Sequence, residues 1–197
     1  MIARHLVIAM VVLLIAVLAL SSYAWHMRKT AVLPSAATDT RPLAPPVAGP
    51  TEQVTLFVAH DDSGTLRAEE ARIPLPSGRQ QRAEELLQTL LSLYLDKSSP
   101  HTLGAAAEIR SVFLVDPGIA VIDMNSAFAD THRSGILVEE LTVTSLIHTI
   151  SANTPGVYKV KILVDGKERD TLAGHADLSS FYDIGAVNQV AAQLQGQ

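Results

Sequence analysis

The sequence predicts an α+β protein: a two-layer domain with a mixed β-sheet and two main helices, in the order β-β-α-β-β-α-β-β, preceded by one N-terminal transmembrane helix. Three observations lead to this prediction. The chain opens with an uncharged apolar run, continues with a proline-rich segment, and then alternates between strand-like and helix-like periodicities over its C-terminal part.

The uncharged run begins at Leu6, ends at Trp25 and contains twenty residues. As a helix it would extend over about 30 Å, which is the thickness of the hydrocarbon core of a bilayer. Tyr23 and Trp25, followed by basic residues, are typical of a membrane interface. Residues 1–29 are therefore predicted to form a signal-anchor that contacts membrane lipid through Leu6 to Trp25.

A cleavable signal peptide is the alternative to an anchor, because small residues precede a possible cleavage point after Ala24. Both alternatives export the rest of the chain. The charges on the two flanks are nearly equal, so the orientation is inferred from the short leader before the run. We expect a single-pass protein of the cytoplasmic membrane whose C-terminal domain is extracytoplasmic (periplasmic).

Residues 30–53 contain five prolines and no aromatic residue, which is typical of a linker that buries too little surface to fold. Residues 30–197 carry twelve Lys/Arg and twenty Asp/Glu, a net charge of −8. An acidic exported domain has no electrostatic footprint for nucleic acid, so no nucleic-acid partner is predicted. The chain has no cysteine, which excludes a disulfide framework, a thiolate metal site and a lipidated N-terminal cysteine.

The first half of the predicted domain is a hairpin followed by a helix. Residues 54–59 and 66–75 have strand composition and flank the turn cluster 60–64. Apolar residues then recur at helical spacing from Ala83 to Tyr94, which predicts an amphipathic helix. Ser77 and Gln80 have the spacing of a capping box at its start.

The second half repeats this order. Residues 109–115 and 119–124 predict a hairpin around the turn 116–118 (DPG). Residues 137–150 are rich in Thr and Val, but their length and spacing favour a largely buried helix. Strands are predicted at 158–164 and 169–172. Residues 184–197 are an Ala/Gln-rich tail, either a frayed helix or disordered, and too plain to carry a site by itself.

Residues 121–128 (VIDMNSAF) and 164–166 (VDG) are the segments that best match a known pattern. With them, residues 54–183 resemble the GerMN domains of the sporulation and spore germination family. The resemblance implies a domain related to ring-building domains of envelope assemblies, on lipoproteins and membrane-anchored proteins outside the cytoplasm. It also implies no established active site and no cofactor. Because this chain lacks cysteine, its apolar helix would take the place of a lipid anchor.

The first group of candidate functional residues along the chain is His60, Asp61 and Asp62. A histidine and two carboxylates are possible ligands for a cation, but three adjacent residues rarely point at one ion, so we expect a solvated turn. The histidines His101, His132, His148 and His175 are scattered without ligand spacing. His148 lies within the predicted apolar helix and is expected to be a hydrogen-bonded core residue.

Asp123, Asn125 and Ser126 end a predicted strand, with Phe128 and Asp130 shortly after. We expect the polar side chains to bond to neighbouring backbone groups and Phe128 to fill the core. The alternatives are a peptidoglycan hydrolase, with Asp123, Asp130 or His132 as acid or base, and a cell-wall glycan-binding domain. The sequence thus predicts no catalytic, cofactor-binding or metal-ligating residue. It favours a non-enzymatic envelope module that meets other envelope proteins or self-associates.

Overall fold

A computed structural model describes residues 13–14, 17–18, 20–23 and 49–195 of the chain. The chain divides into two compact units, Met1–Val47 and Ala48–Gln197. In the first unit the described residues are helical. Most of the predicted membrane helix and of the predicted linker lies outside the described residues. Within the part of the chain that is described, no helix has both the length and the hydropathy needed to cross a membrane.

The second unit contains strands and helices that alternate along the chain. Its elements are β1 (Thr51–His60), β2 (Thr65–Pro74), α1 (Arg79–Leu95), β3 (Ile109–Val115), β4 (Ile119–Met124), α2 (Ser126–Asp130), α3 (Ile136–Asn153), β5 (Lys159–Val164), β6 (Tyr182–Asp183) and α4 (Ile184–Gln195). The α+β class is therefore confirmed.

The strands form two sheets, so the predicted single mixed sheet is wrong. β1 and β2 pair only with each other, as an antiparallel hairpin. The other sheet has the order β3-β4-β5-β6, with β4 and β5 parallel and the outer pairs antiparallel. The hairpin packs against α3 and α1 instead of extending this sheet. Hydrophobic alternation predicts which face of a strand is buried, but not which strand lies beside it.

The predicted order β-β-α-β-β-α-β-β is also wrong after β4. A short helix, α2, precedes α3, and residues 169–172 make only an isolated bridge, between Thr171 and Asp177. The last strand is instead β6, and the tail that follows it is the helix α4. Residues 169–172 instead pair locally, because the Leu172 N–H donates to the Ala176 carbonyl and the Leu178 N–H donates to the Asp170 carbonyl.

The two long helices are confirmed, and both pack on the core. The apolar face of α1 from Ala83 to Tyr94 is buried at the predicted spacing. α3 is buried on most sides from Leu141 to Ile150, which explains why its sequence is apolar and β-branched yet helical. The inner faces of β4 and β5 complete the core with Ile122 and Ile162.

The helix N-termini agree only in part with the predictions made from the sequence. The predicted capping box at α1 is wrong: Gly78 is the N-cap residue, and the backbone N–H and hydroxyl of Ser77 bond to Gln81 Oε1. At α2 the prediction of local bonding holds. The side chain of Asn125 accepts the N–H of Phe128 at 2.9 Å, and the Phe128 ring is buried in the core.

Candidate functional site

A groove of about 670 Å³ lies between α3, α4 and residues 174–177. Its apolar walls include Val143 from α3 and Val187 and Val190 from α4, together with Ile136, which is 71 % exposed. The polar lining groups are Glu140, Thr144, His175, Asp177 and Tyr182. A concave, mostly apolar site of this volume with a few polar groups is typical of a binding site.

The C-terminal helix forms one wall of the groove because of its own amphipathic pattern. Val187, Ala191 and Leu194 are buried at the spacing of one helical face, and α4 packs on α3. Ala186 and Val190 then line the groove. The sequence analysis predicts that this tail carries no site by itself. Its contribution depends on α3, which lies far from it in sequence.

Glu139 holds the other wall in place, since its carboxylate is fully buried and accepts several hydrogen bonds. Oε2 accepts the backbone N–H groups of Ala173, His175 and Ala176 at 2.9–3.0 Å. Oε1 accepts the N–H of Gly135 at 3.1 Å and lies 2.9 Å from His175 Nδ1. Burial by itself raises the pKa of Glu139, but these hydrogen bonds outweigh it and lower the pKa to about 2. The charged carboxylate therefore fixes the loop beside the groove.

Behind the groove, on another side of α3, two of the scattered histidines meet. Thr142 Oγ1 lies 2.8 Å from His101 Nε2 and 2.7 Å from His132 Nε2. His101 Nδ1 is 2.7 Å from Asp61 Oδ1, and His132 Nδ1 is 2.7 Å from the carbonyl oxygen of Arg133. Both rings are buried. The sequence spacing of His101 and His132 therefore gave no sign that the two rings contact the same side chain.

The environment of the two rings has opposing effects on their protonation. Burial lowers the pKa of His101 below its usual value, and the hydrogen bond and charge of Asp61 offset only part of this lowering. Burial likewise lowers the pKa of His132, and the neighbouring His101 adds to the lowering. Asp61 also accepts a hydrogen bond from the guanidinium of Arg133.

The predicted solvated turn at 60–62 is wrong for Asp61. Its carboxylate is half-buried between His101 and Arg133, whereas Asp62 is exposed. His60 Nε2 lies 3.5 Å from Glu69 Oε1, on the other strand of the hairpin. The three adjacent side chains thus have different surroundings, as expected from their spacing.

The remaining sequence candidates take local partners. His148 Nδ1 lies 2.9 Å from Asn188 Oδ1; the ring is hydrogen-bonded as predicted, but it is only half-buried. Asp123 accepts the N–H of Gly166 at 2.7 Å, and Asp130 pairs with Arg169 at 2.7 Å. The three residues of the hydrolase alternative, Asp123, Asp130 and His132, therefore engage separate partners.

The sequence profile of the Germane family, described as sporulation and spore germination, matches residues 55–170. The chain belongs to the Germane family. This match covers more than half of the chain and confirms the resemblance to GerMN domains. No curated protein shows significant sequence similarity to this Germane chain.

Several solved structures are similar to the Germane chain, including the following three. One is a candidate lipoprotein from Clostridium perfringens, with 22 % identity, a TM-score of 0.45, and coverage of 72 % of this chain and 93 % of the other. The tandem GerMN domains of the sporulation protein GerM from Bacillus subtilis have 20 % identity and a TM-score of 0.49, covering 66 % of this chain. The first GerMN domain of GerM has 19 % identity and a TM-score of 0.47, covering 66 % of this chain and 94 % of that domain. This chain spans 45 % of the tandem structure.

Proposed function

We propose that this Germane chain is a membrane-tethered, extracytoplasmic module of the cell envelope that binds another envelope protein and catalyses no reaction. The groove between α3 and α4 is the observation that supports this function. Its walls are apolar side chains, and the Glu139 carboxylate beside it is occupied by backbone N–H groups. Such a site binds through shape and apolar area.

The tether is proposed from the sequence of the first unit. Twenty uncharged residues match the thickness of a bilayer. The described residues within this run include Leu13, Leu14, Val17 and Leu18, which are helical with exposed apolar side chains. The family description, sporulation and spore germination, supports a role in building a cell envelope.

The partner is proposed to present an amphipathic segment with basic residues beside its apolar face. Within the described residues, the groove lining contains the carboxylates of Glu140 and Asp177 and neither lysine nor arginine. Residues 30–197 as a whole carry a net charge of −8. A basic segment would be attracted to this surface, and its apolar face would fill the groove.

The proposed topology can be tested with single cysteines, because the natural chain contains none. Gly49→Cys adds a thiol at an exposed position with no atom within 4 Å of the added Cβ. We expect a membrane-impermeant maleimide to label Gly49→Cys on intact spheroplasts and to leave Ile2→Cys unlabelled until the cells are lysed. Labelling of Ile2→Cys alone on intact spheroplasts would contradict an exported Germane domain.

The partner is tested by placing a photo-crosslinking amino acid at Val190 in the full chain, in membranes of the native cells. Ala192 is the matched control, since it is exposed on the same helix and does not line the groove. We expect Val190, and not Ala192, to cross-link to an envelope protein, through a peptide that contains both apolar and Lys/Arg residues. Introducing Glu140→Lys into the Val190 probe chain should reduce the yield about tenfold, because it replaces attraction with repulsion.

Three other results would contradict the proposed partner or the proposed absence of catalysis. Equal yields from Val190 and Ala192 would show that the groove is not the contact surface. Cross-linking only to a second copy of the chain would indicate self-association. Release of muropeptides from purified peptidoglycan by the full chain would show an enzymatic role in its place.

A further inference from the structure

The hydrogen bonds around Thr142 do not balance when both histidine rings are neutral. Asp61 and the Arg133 carbonyl only accept hydrogen bonds, so the Nδ1 atoms of His101 and His132 both carry a proton. In neutral rings each Nε2 is then an acceptor that faces Thr142 Oγ1. The hydroxyl has one proton, which one ring can accept. The other ring would face an oxygen lone pair at 2.7–2.8 Å in a buried site.

One additional proton satisfies both contacts. If one Nε2 carries it, that ring donates to Thr142 Oγ1, and the hydroxyl donates to the other ring. The Val138 carbonyl, 2.9 Å from Thr142 Oγ1, is a competing acceptor for the hydroxyl proton, and with that choice both ring contacts are satisfied only when both rings donate. That state needs two neighbouring cations, whose ring centroids are 6.2 Å apart. Mutual repulsion and burial oppose the second proton.

We propose that His101, Thr142 and His132 form a buried site for a single proton. His101 is the ring that carries the charge, because its Nδ1 lies against the Asp61 carboxylate. Together with Asp61, the site joins four segments: the β1–β2 turn, the loop after α1, the segment before α3 and α3 itself. The proton leaves as the pH rises, and one of the two contacts to Thr142 then loses its hydrogen bond. The inference does not depend on the proposed function.

Charged and titratable groups face the histidine pair from each neighbouring element. Asp61 lies on the β1–β2 turn and Arg133 on the segment before α3. Glu139 acts on His132 from α3, and the Tyr94 ring of α1 lies edge-on to His101 at 4.7 Å. The carboxylates of Asp61 and Glu139 offset the charges of Arg133 and one imidazolium. A second imidazolium would leave a net positive charge in the buried site.

The test is nitrogen NMR of the full chain in detergent micelles, labelled at histidine and followed from about pH 4 to about pH 9. Single His→Gln variants assign the two rings. As the pH falls below neutral, we expect one ring of the pair, His101, to gain a second proton while the other still carries a proton on Nδ1 alone. In Thr142→Val, which removes the shared oxygen, the midpoint of the doubly protonated ring should fall by about one pH unit or more.

Two controls separate this effect from a general loss of packing. Thr142→Ser keeps the hydroxyl and should titrate like the wild type. Thr89→Val removes a similar bond to a preceding carbonyl, Glu85 O at 2.7 Å in α1, and should leave both rings unchanged. Two rings that stay neutral over the whole pH range, or two rings that become cationic together, would overturn the inference. The wild-type titration itself needs no variant to fold other than those used for assignment.

Discussion

Glu139→Ala is expected to lower the free energy of unfolding by about 4 kcal/mol, because it removes a buried acceptor shared by several donors. The backbone N–H groups of Ala173, His175 and Ala176 would lose their partner inside the protein. Urea unfolding of the full chain in detergent, followed by circular dichroism, measures the loss. Hydrogen exchange at residues 173–176 should accelerate in a more stable background, where the variant is still folded.

Glu140→Ala is the matched control, since Glu140 is the next residue of α3 but is exposed. Its expected effect is within about 0.5 kcal/mol. Equal effects of the two substitutions would show that the buried hydrogen bonds of Glu139 do not hold the loop.

The pH dependence of Glu139 follows from its lowered pKa. The pKa falls from 4.5 to about 2 in the folded chain, so the folded state favours the charged form. The stabilisation is fully present above about pH 4.5 and is lost as the pH falls toward 2. The free energy of unfolding of Glu139→Ala should therefore fall less than that of the wild type as the pH decreases from about 4.5 toward 2.

Tyr94→Phe is expected to lower the free energy of unfolding by about 2 kcal/mol. The Tyr94 hydroxyl accepts the N–H of Ala59 at 2.9 Å and donates to Ser145 Oγ, which donates to the Phe57 carbonyl at 2.6 Å. This buried chain of hydrogen bonds joins β1, α1 and α3. Phenylalanine keeps the packing but leaves the Ala59 N–H without an acceptor. Urea unfolding gives the difference.

Tyr158→Phe, at a residue that is 44 % exposed, should change the stability by less than about 0.5 kcal/mol. A second measurement uses alkaline pH. Burial raises the pKa of Tyr94 to about 12 from a reference value of 10.0, so its contribution is present below about pH 10 and is lost as the pH rises toward 12. If Tyr94→Phe and wild-type chains lost stability in parallel over this range, the buried hydroxyl would not account for the effect.

The predictable elements are those whose pattern is local. In α1 the apolar residues from Ala83 to Tyr94 repeat at helical spacing, and the structure buries that face. β3 and β4 flank the predicted turn at 116–118, where Gly118 has a φ of +150°. A Cβ there would lie 2.3 Å from the Gly156 carbonyl oxygen, which explains glycine at this position.

The site residues were less predictable, because their contacts join distant parts of the chain. His101 contacts Asp61 and Thr142, which are 40 and 41 residues away in sequence. Side-chain hydrogen bonds over such separations leave no periodic signal. Glu139 did leave one: it stands at helical spacing from the buried residues Thr142 and Leu146. A carboxylate on the buried face of an apolar helix indicates that hydrogen-bond donors surround it in the folded protein.

The α+β class, the two long helices and the hairpins could be predicted from the amino-acid sequence, and residues 121–128 and 164–166 showed the likeness to GerMN domains. The class, the helices and the hairpins follow from how single segments divide apolar from polar residues, which is a local property. Three features became apparent only in the folded chain: the strands form two sheets, the tail closes a groove, and His101 and His132 share one hydroxyl. Those outcomes depend on which distant surfaces bury each other and which donors then need an acceptor. No single segment encodes them.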